Sequence, residues 1–179
     1  MFRFTNIVIN VLLLSLTLIF ISKFTTSKIE QYKSNKDFSS PISMAERERQ
    51  LTCLAKNIYF EAATEPFEGK VAVAQVTINR AESGNYPSDI CNVVYQKNIV
   101  YGKVICQFSW YCEAGPVVRH NGHYQESMEV AKKVLLEGFR LEKFKKALYY
   151  HADYVNPKWN KVFIGQIGHH KFYSGEKRV

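Results

Sequence analysis

Asn57-Ile58-Tyr59-Phe60-Glu61-Ala62-Ala63-Thr64-Glu65-Pro66 puts a carboxylate where a helix should bury it. Upstream, Leu51, Leu54, Ala55 and Ile58 recur at helical spacing and mark one apolar face. Glu61 follows Leu54 by seven residues and Ile58 by three, so it projects from that face. Glutamate is rarely left on a buried stripe unless it is paired or useful. It also stands near the C-terminal end of the helix, where the dipole disfavours negative charge. Desolvation and dipole both push its pKa upward, the direction a general acid needs at neutral pH. The competing reading is a structural Glu bonded to a core Arg or Tyr.

The first helix should run from about Ala45 to Ala63 and end before Pro66, because the residue preceding proline disfavours the helical region. The same proline suits the first turn of a second helix, from about Pro66 to Ala81. Its run Val71-Ala72-Val73-Ala74-Gln75-Val76-Thr77-Ile78 is apolar almost all round and predicts the central, buried element. Ser83 to Pro87 reads as a loop, and Ser88 or Asp89 can cap a short helix ending at Tyr95. A turn at Tyr101-Gly102 separates two short strands, the second carrying Cys106-Gln107-Phe108-Ser109-Trp110. Met128, Ala131, Val134 and Leu135 define another amphipathic helix, stopped by Gly138. From Ala147 onward the chain is aromatic and irregular, punctuated by Pro157, Gly165 and Gly168.

The 179 residues, 46% apolar, suit one domain with an appendage. Between Arg3 and Lys23 lies an uncharged stretch centred on Ile7-Val8-Ile9-Asn10-Val11-Leu12-Leu13-Leu14. As a helix it would span roughly 28 Å, close to a bilayer core. No small-x-small cleavage site follows Ile21, so residues 1–22 are expected to be an uncleaved signal anchor rather than a cleaved signal peptide. Residues 23–44, rich in Ser, Lys and Thr, read as a polar linker, leaving residues 45–179 as the functional domain. Cys53, Cys91, Cys106 and Cys112 contain no C-x-x-C pair and fit no zinc ribbon. Beside a membrane signal they predict two disulfides in an oxidising compartment, with three pairings open. The net charge of +8 is dispersed among acids and forms no stripe of the kind that reads nucleic acid.

A set of ordered blocks carries a resemblance. Ile58-Tyr59-Phe60-Glu61-Ala62 with Glu65-Pro66 is followed by Glu68 to Val76, Asn79-Arg80, Tyr86-Pro87 and Cys91 to Gln96. Gln107-Phe108-Ser109-Trp110 comes next, then Ala147 to Ala152, Val155, Pro157, Trp159 and Ile167 to Tyr173. Together they resemble the SleB/CwlJ cell-wall hydrolase family, over about residues 51–174. Two departures bear on the walls of a cleft: Ala63-Thr64 replaces a common Arg-Gly, and His169 stands where the family often has Asn. The resemblance implies a lysozyme-like α+β fold. With the element pattern, the expectation is a mostly helical domain with a small β-hairpin, preceded by the anchor helix.

The expected substrate is peptidoglycan, cleaved at the MurNAc–GlcNAc glycosidic bond with Glu61 as general acid. Glu65 is the possible second acid, although Pro66 breaks the helix that would align it with Glu61; Glu68 in a first turn is simply stabilising. A lytic transglycosylase needs one carboxyl only, because the muramic 6-hydroxyl attacks, and the resemblance points to that class too. Tyr59, Gln107, Ser109 and Trp110 are expected to bind substrate from one side, and Tyr150, His151, His170 and Tyr173 from the other. Hairpin packing is the alternative for Trp110, and a structural role for the histidines. His120 and His123 fall outside the matching blocks and read as solvated. Neither a cofactor nor a metal is expected. One rival is a zinc amidase or peptidase using three of His120, His123, His151, His169 and His170, without an H-E-x-x-H motif. Another is a non-catalytic wall-binding module. The enzyme is expected to be held at the membrane by its N-terminus with the catalytic domain in the periplasm or outside the cell, or alternatively secreted.

Overall fold

The computed structural model describes residues 15, 17, 19–23, 43–113 and 117–175. The chain divides into two units, Met1–Ser43 and Met44–Val179. In the first unit the described residues Ser15, Thr17 and 19–23 are helical and exposed. Among the described residues no helix is long and apolar enough to cross a membrane. The expected anchor helix, and with it the membrane as partner and as location, is therefore corrected. The rest of the 1–22 assignment, and residues 24–42 of the expected linker, lie outside the described residues.

In the second unit, α1 (Met44–Ala62) forms on the predicted spacing and buries Leu51, Leu54, Ala55 and Ile58. Each fully buried aliphatic side chain contributes about 1.5–3 kcal/mol, so this stripe fixes the helix's orientation. Pro66 is the N-cap of α2 (Phe67–Glu82), whose residues from Gly69 to Ile78 are all buried. This is the central helix that the apolar run predicted, and three of its polar side chains reach across to the C-terminal part of the chain. Gln75 exchanges two hydrogen bonds with the backbone of Leu141, Asn79 donates to the carbonyls of Phe144 and Ala147, and Arg80 Nε donates to that of Leu148. Those bonds sew the C-terminal third of the chain onto α2.

Asp89 caps α3 (Ile90–Val94) by accepting from the Asn92 backbone N–H. The hairpin of β1 (Lys97–Val100) and β2 (Lys103–Cys106) turns at Tyr101 and Gly102, both at positive φ. The second strand stops at Cys106, earlier than its sequence suggested. Residues Ser109–Tyr111 instead make a 3₁₀ turn, beside which Cys112 closes a disulfide with Cys106. Cys53 pairs with Cys91, joining α1 to α3. The two bridges resolve the open pairing. By loop length the longer is worth on the order of 4 kcal/mol and the shorter about 2.

α4 (Asn121–Leu135) packs on α1 and α2 through Val130, Ala131 and Val134. The segment expected to be irregular contains a second sheet of β3 (Ala147–Ala152), β4 (Phe163–Ile167) and β5 (His170–Ser174), antiparallel in the order β3-β5-β4. The fold is thus a mixed helix-and-sheet domain, richer in β-structure than the single hairpin expected. Phe144, Ala147 and Phe172 pack this sheet against Ala72, Val73 and Val76 of α2.

Candidate active site

Where the end of α1 and the end of α2 face the second sheet, a cleft of about 440 Å³ opens. α1 supplies Glu61 and α2 supplies Arg80. The segment after β2 brings Gln107, Phe108 and Ser109, held in place by the Cys106–Cys112 bridge. β3 contributes Tyr149 and Tyr150, and the β3–β4 connection contributes Trp159 and Lys161. A separate groove of about 460 Å³ around Asn79, Glu82 and Lys146 shares none of these residues, and Asn79 there is committed to backbone carbonyls.

Glu61 is half-buried, and Tyr150 donates its phenolic proton to Glu61 Oε2 at 2.9 Å. Loss of water around the carboxyl pushes its pKa up. The Tyr150 hydroxyl and the charge of Arg80 push the other way, and Glu113 adds to the rise. Burial next to Glu61 also holds the Tyr150 phenol well above its ordinary range, so it stays a donor. The result is a carboxyl that retains its proton above the usual range, with Oε2 anchored and Oε1 without a hydrogen-bond partner among the described residues.

Four residues on, Glu65 has another fate. It is buried, and its Oε2 accepts the His169 backbone N–H while its Oε1 meets His169 Nδ1, both at 3.1 Å. A Cβ on Gly168, at φ +53°, would come within 1.7 Å of Glu65 Oε2. Glu65 is thus a brace between the α1–α2 corner and the β4–β5 turn, outside the cleft lining. Glu68 is exposed in the first turn of α2.

Of the other residues singled out, Gln107, Ser109 and Tyr150 line the cleft with Glu61. Tyr59 is buried, and its hydroxyl accepts the backbone N–H groups of Arg119 and His120 at the start of α4. Trp110 is also buried, stacked on Phe60 at 4.5 Å and donating to Asn57. His170 is buried against the Tyr150 ring, and that burial lowers its pKa, keeping it neutral. His151 stacks on Tyr173 and shares a 2.9 Å hydrogen bond with its hydroxyl. Trp159, which lines the cleft, packs edgewise against both. His120 and His123 are exposed and pair with each other. Among the described residues no group of three or more His, Cys, Asp or Glu is arranged to hold a metal ion, so the zinc reading has no ligand set in this geometry.

Sequence reading missed Arg80, Tyr149, Trp159 and Lys161 as cleft residues. A signal existed for two of them. Arg80 is an arginine near the end of an otherwise apolar helix, and Trp159 is an isolated indole in a polar loop.

Residues 64–173 match the family model described as Cell Wall Hydrolase, a segment that starts three residues after Glu61. The spore cortex-lytic enzyme of Bacillus cereus is 28% identical over 151 residues, covering 82% of this chain and 52% of that protein. The Bacillus subtilis spore cortex-lytic enzyme is 28% identical over 123 residues, covering 66% and 35%. The chain thus spans about half the length, or less, of the curated relatives it matches. Among solved structures, the catalytic domain of the Bacillus cereus SleB protein aligns with TM-score 0.53 and 23% identity, covering 71% of this chain and 91% of that one. The catalytic domain of the germination-specific lytic transglycosylase SleB from Bacillus anthracis aligns with TM-score 0.55 and 24% identity, covering 75% and 98%.

Proposed function

Since the chain belongs to the SleB/CwlJ-type cell wall hydrolase family, we propose that it cleaves the MurNAc–GlcNAc bond of peptidoglycan as a lytic transglycosylase, with Glu61 as acid and then base. One observation carries this reading: among the described residues, Glu61 is the one carboxylate that lines the cleft. Its raised pKa and its single phenolic partner suit a group that must hold a proton and then release it.

In the first step Glu61 Oε1 gives its proton to the glycosidic oxygen, the bond from that oxygen to the muramic C1 breaks, and the sugar becomes oxocarbenium-like. Glu61 is then a carboxylate, steadied by the Tyr150 proton donor and by Arg80. In the second step the muramic 6-hydroxyl attacks C1 and returns its proton to Glu61. Water is not consumed, and the product ends in 1,6-anhydro-muramic acid. Attack from within the same sugar has the advantage of proximity. Gln107 and Ser109 offer amide and hydroxyl groups to the sugars, and Trp159 an indole face.

Mass spectrometry of the sugar ends released from purified peptidoglycan tests the proposal. Anhydro-muramic ends, lighter by one water than hydrolytic ends, are expected. Reducing muramic ends would mean water attack and would direct attention to Glu113, the acid that acts on Glu61 across space. Free stem peptides with intact glycan would refute glycosidic cleavage.

A further inference from the structure

Besides Glu61, the cleft lining carries two cationic side chains, Arg80 and Lys161. Arg80 is 4% exposed and lines it, yet Arg80 Nη1 is buried without a hydrogen-bond partner. Its guanidinium lies between the rings of Tyr86 and Phe108, at 5.4 and 5.3 Å. Lys161, half-buried on the β3–β4 connection, lines the same wall with its Nζ 4.3 Å from the centre of the Tyr149 ring. Tyr86 first, and Lys161 after it, pull the Tyr149 phenol below its ordinary pKa. Neither cation is in an ion pair among the described residues, although Lys70, Lys132, Lys133 and Lys145 all are. The acids that act on this space are Glu61, which is neutral in the state that starts the proposed reaction, and Glu113. A cation withdrawn from water without a counter-charge is costly, and a cleft that keeps one, with a second half-buried beside it, is poised for an anion.

A glycan strand carries its negative charge in one kind of place. Sugar hydroxyls and acetamides are neutral, whereas the lactyl substituent of a muramic residue, or the stem peptide attached to it, bears carboxylates. We propose that the Arg80–Lys161 wall is a carboxylate subsite. On this view Lys161 contacts the anionic substituent of the muramic sugar, and Arg80 beneath it supplies a fixed positive field. The subsite rests on the glycan-cleaving reading above. It adds a polarity to it: the charged sugar of each pair is drawn to the sheet side of the cleft, next to Glu61.

Binding separates this subsite from catalysis. The Glu61→Gln chain is titrated with soluble glycan strands in four forms: peptide-free with the lactyl carboxylate intact, the same strands methylamidated, strands with stem peptides, and those with the peptide carboxylates amidated. Neutralising the carboxylate should weaken binding about 10-fold in one pair, and which pair responds identifies the lactyl group or the peptide as the source. Lys161→Gln in that background should abolish the difference while leaving affinity for the neutral strand and the melting temperature unchanged. Equal affinity for charged and neutral strands overturns the subsite. A difference that survives Lys161→Gln undiminished also overturns it, because the general charge of +8 would then be the cause. The sugar-end analysis judges the reaction itself, so a failure of either reading is recognised independently.

Discussion

Glu61 and Glu65 stand one helical turn apart in sequence, both withdrawn from water, and the fold treats them in opposite ways. Glu65 is fully accommodated: a backbone N–H and an imidazole serve its two oxygens, and Gly168 gives up a side chain to make room. Among the described residues Glu61 has one hydrogen-bond partner, the Tyr150 phenol, which leaves one oxygen over in a side chain that lines the cleft. A carboxylate that is buried and satisfied holds a structure together, whereas one that is buried and under-served holds a proton. The two are also connected. His170, whose Nδ1 lies 4.0 Å from Glu65 Oε1, presses on the ring of Tyr150, which in turn fixes Glu61.

The comparison breaks most visibly in activity. Glu61→Gln should lower peptidoglycan lysis by at least ~10², since it keeps the shape and removes the transferable proton. Glu65→Gln, assayed well below its own melting temperature, should keep most of the activity. Comparable losses in both would mean that Glu65 belongs to the chemistry and not to the brace alone.

Stability should respond in the reverse order. Gly168→Ala meets both a left-handed backbone and the Glu65 carboxylate. A cost of about 2–3 kcal/mol is expected, several degrees in melting temperature for a domain of this size. Glu65→Gln should cost about 1–2 kcal/mol by leaving the His169 side of the brace unpaired. A Gly168→Ala chain that melts with the parent would dismiss the brace.

Tyr150→Phe probes the link between the two sites, and a loss in kcat of about 10-fold is expected. The phenol stabilises the ionised form of Glu61, so its removal raises the Glu61 pKa further. Activity that depends on the protonated acid then persists to higher pH, and the basic limb of the pH profile moves up. A limb that moves down, or does not move, contradicts the role assigned to Tyr150.

The position of Glu61 was legible because a helix repeats: Leu54 and Ile58 fix the face on which it must lie. The burial of α2 was equally plain from its run of small apolar residues. The second sheet was not legible, for reasons visible in its strands. β3 and β4 each change register against β5, at Ala147/Tyr149 and at Phe163/Gly165, so the alternation of two that betrays a strand is interrupted. β5 does alternate, burying His170, Phe172 and Ser174, but two of those three inward residues are polar. The fates of Tyr59 and Trp110 were hidden for another reason. A motif shows that an aromatic is demanded at a position, and it does not show whether the demand comes from substrate or from core. Arg80 and Lys161 reach the cleft from elements far apart in sequence, and no local pattern brings them together.

The smallest effect is the most direct physical test of the contrast. A carboxyl whose pKa is raised on folding favours the folded state while it is protonated in both states. That stability is fully present below its unfolded pKa, near the ordinary carboxylate value, and is lost as pH rises through the folded value. Burial raises the Glu61 pKa, so the ionised side chain should burden the fold at neutral pH. Each unit of elevation is worth about 1.4 kcal/mol. Glu61→Gln removes the titration. Its melting temperature should therefore match the parent's at acid pH and exceed it by about 3 °C at pH 8, with the gap opening across the interval between the two pKa values. Glu65→Gln should lie below the parent at neutral pH. A variant that loses activity while gaining stability shows that the fold carries Glu61 at a cost, and calorimetry of the three chains from pH 4 to 8 measures it. A Glu61→Gln chain that is less stable than the parent at pH 8 would make Glu61 a structural group like its neighbour.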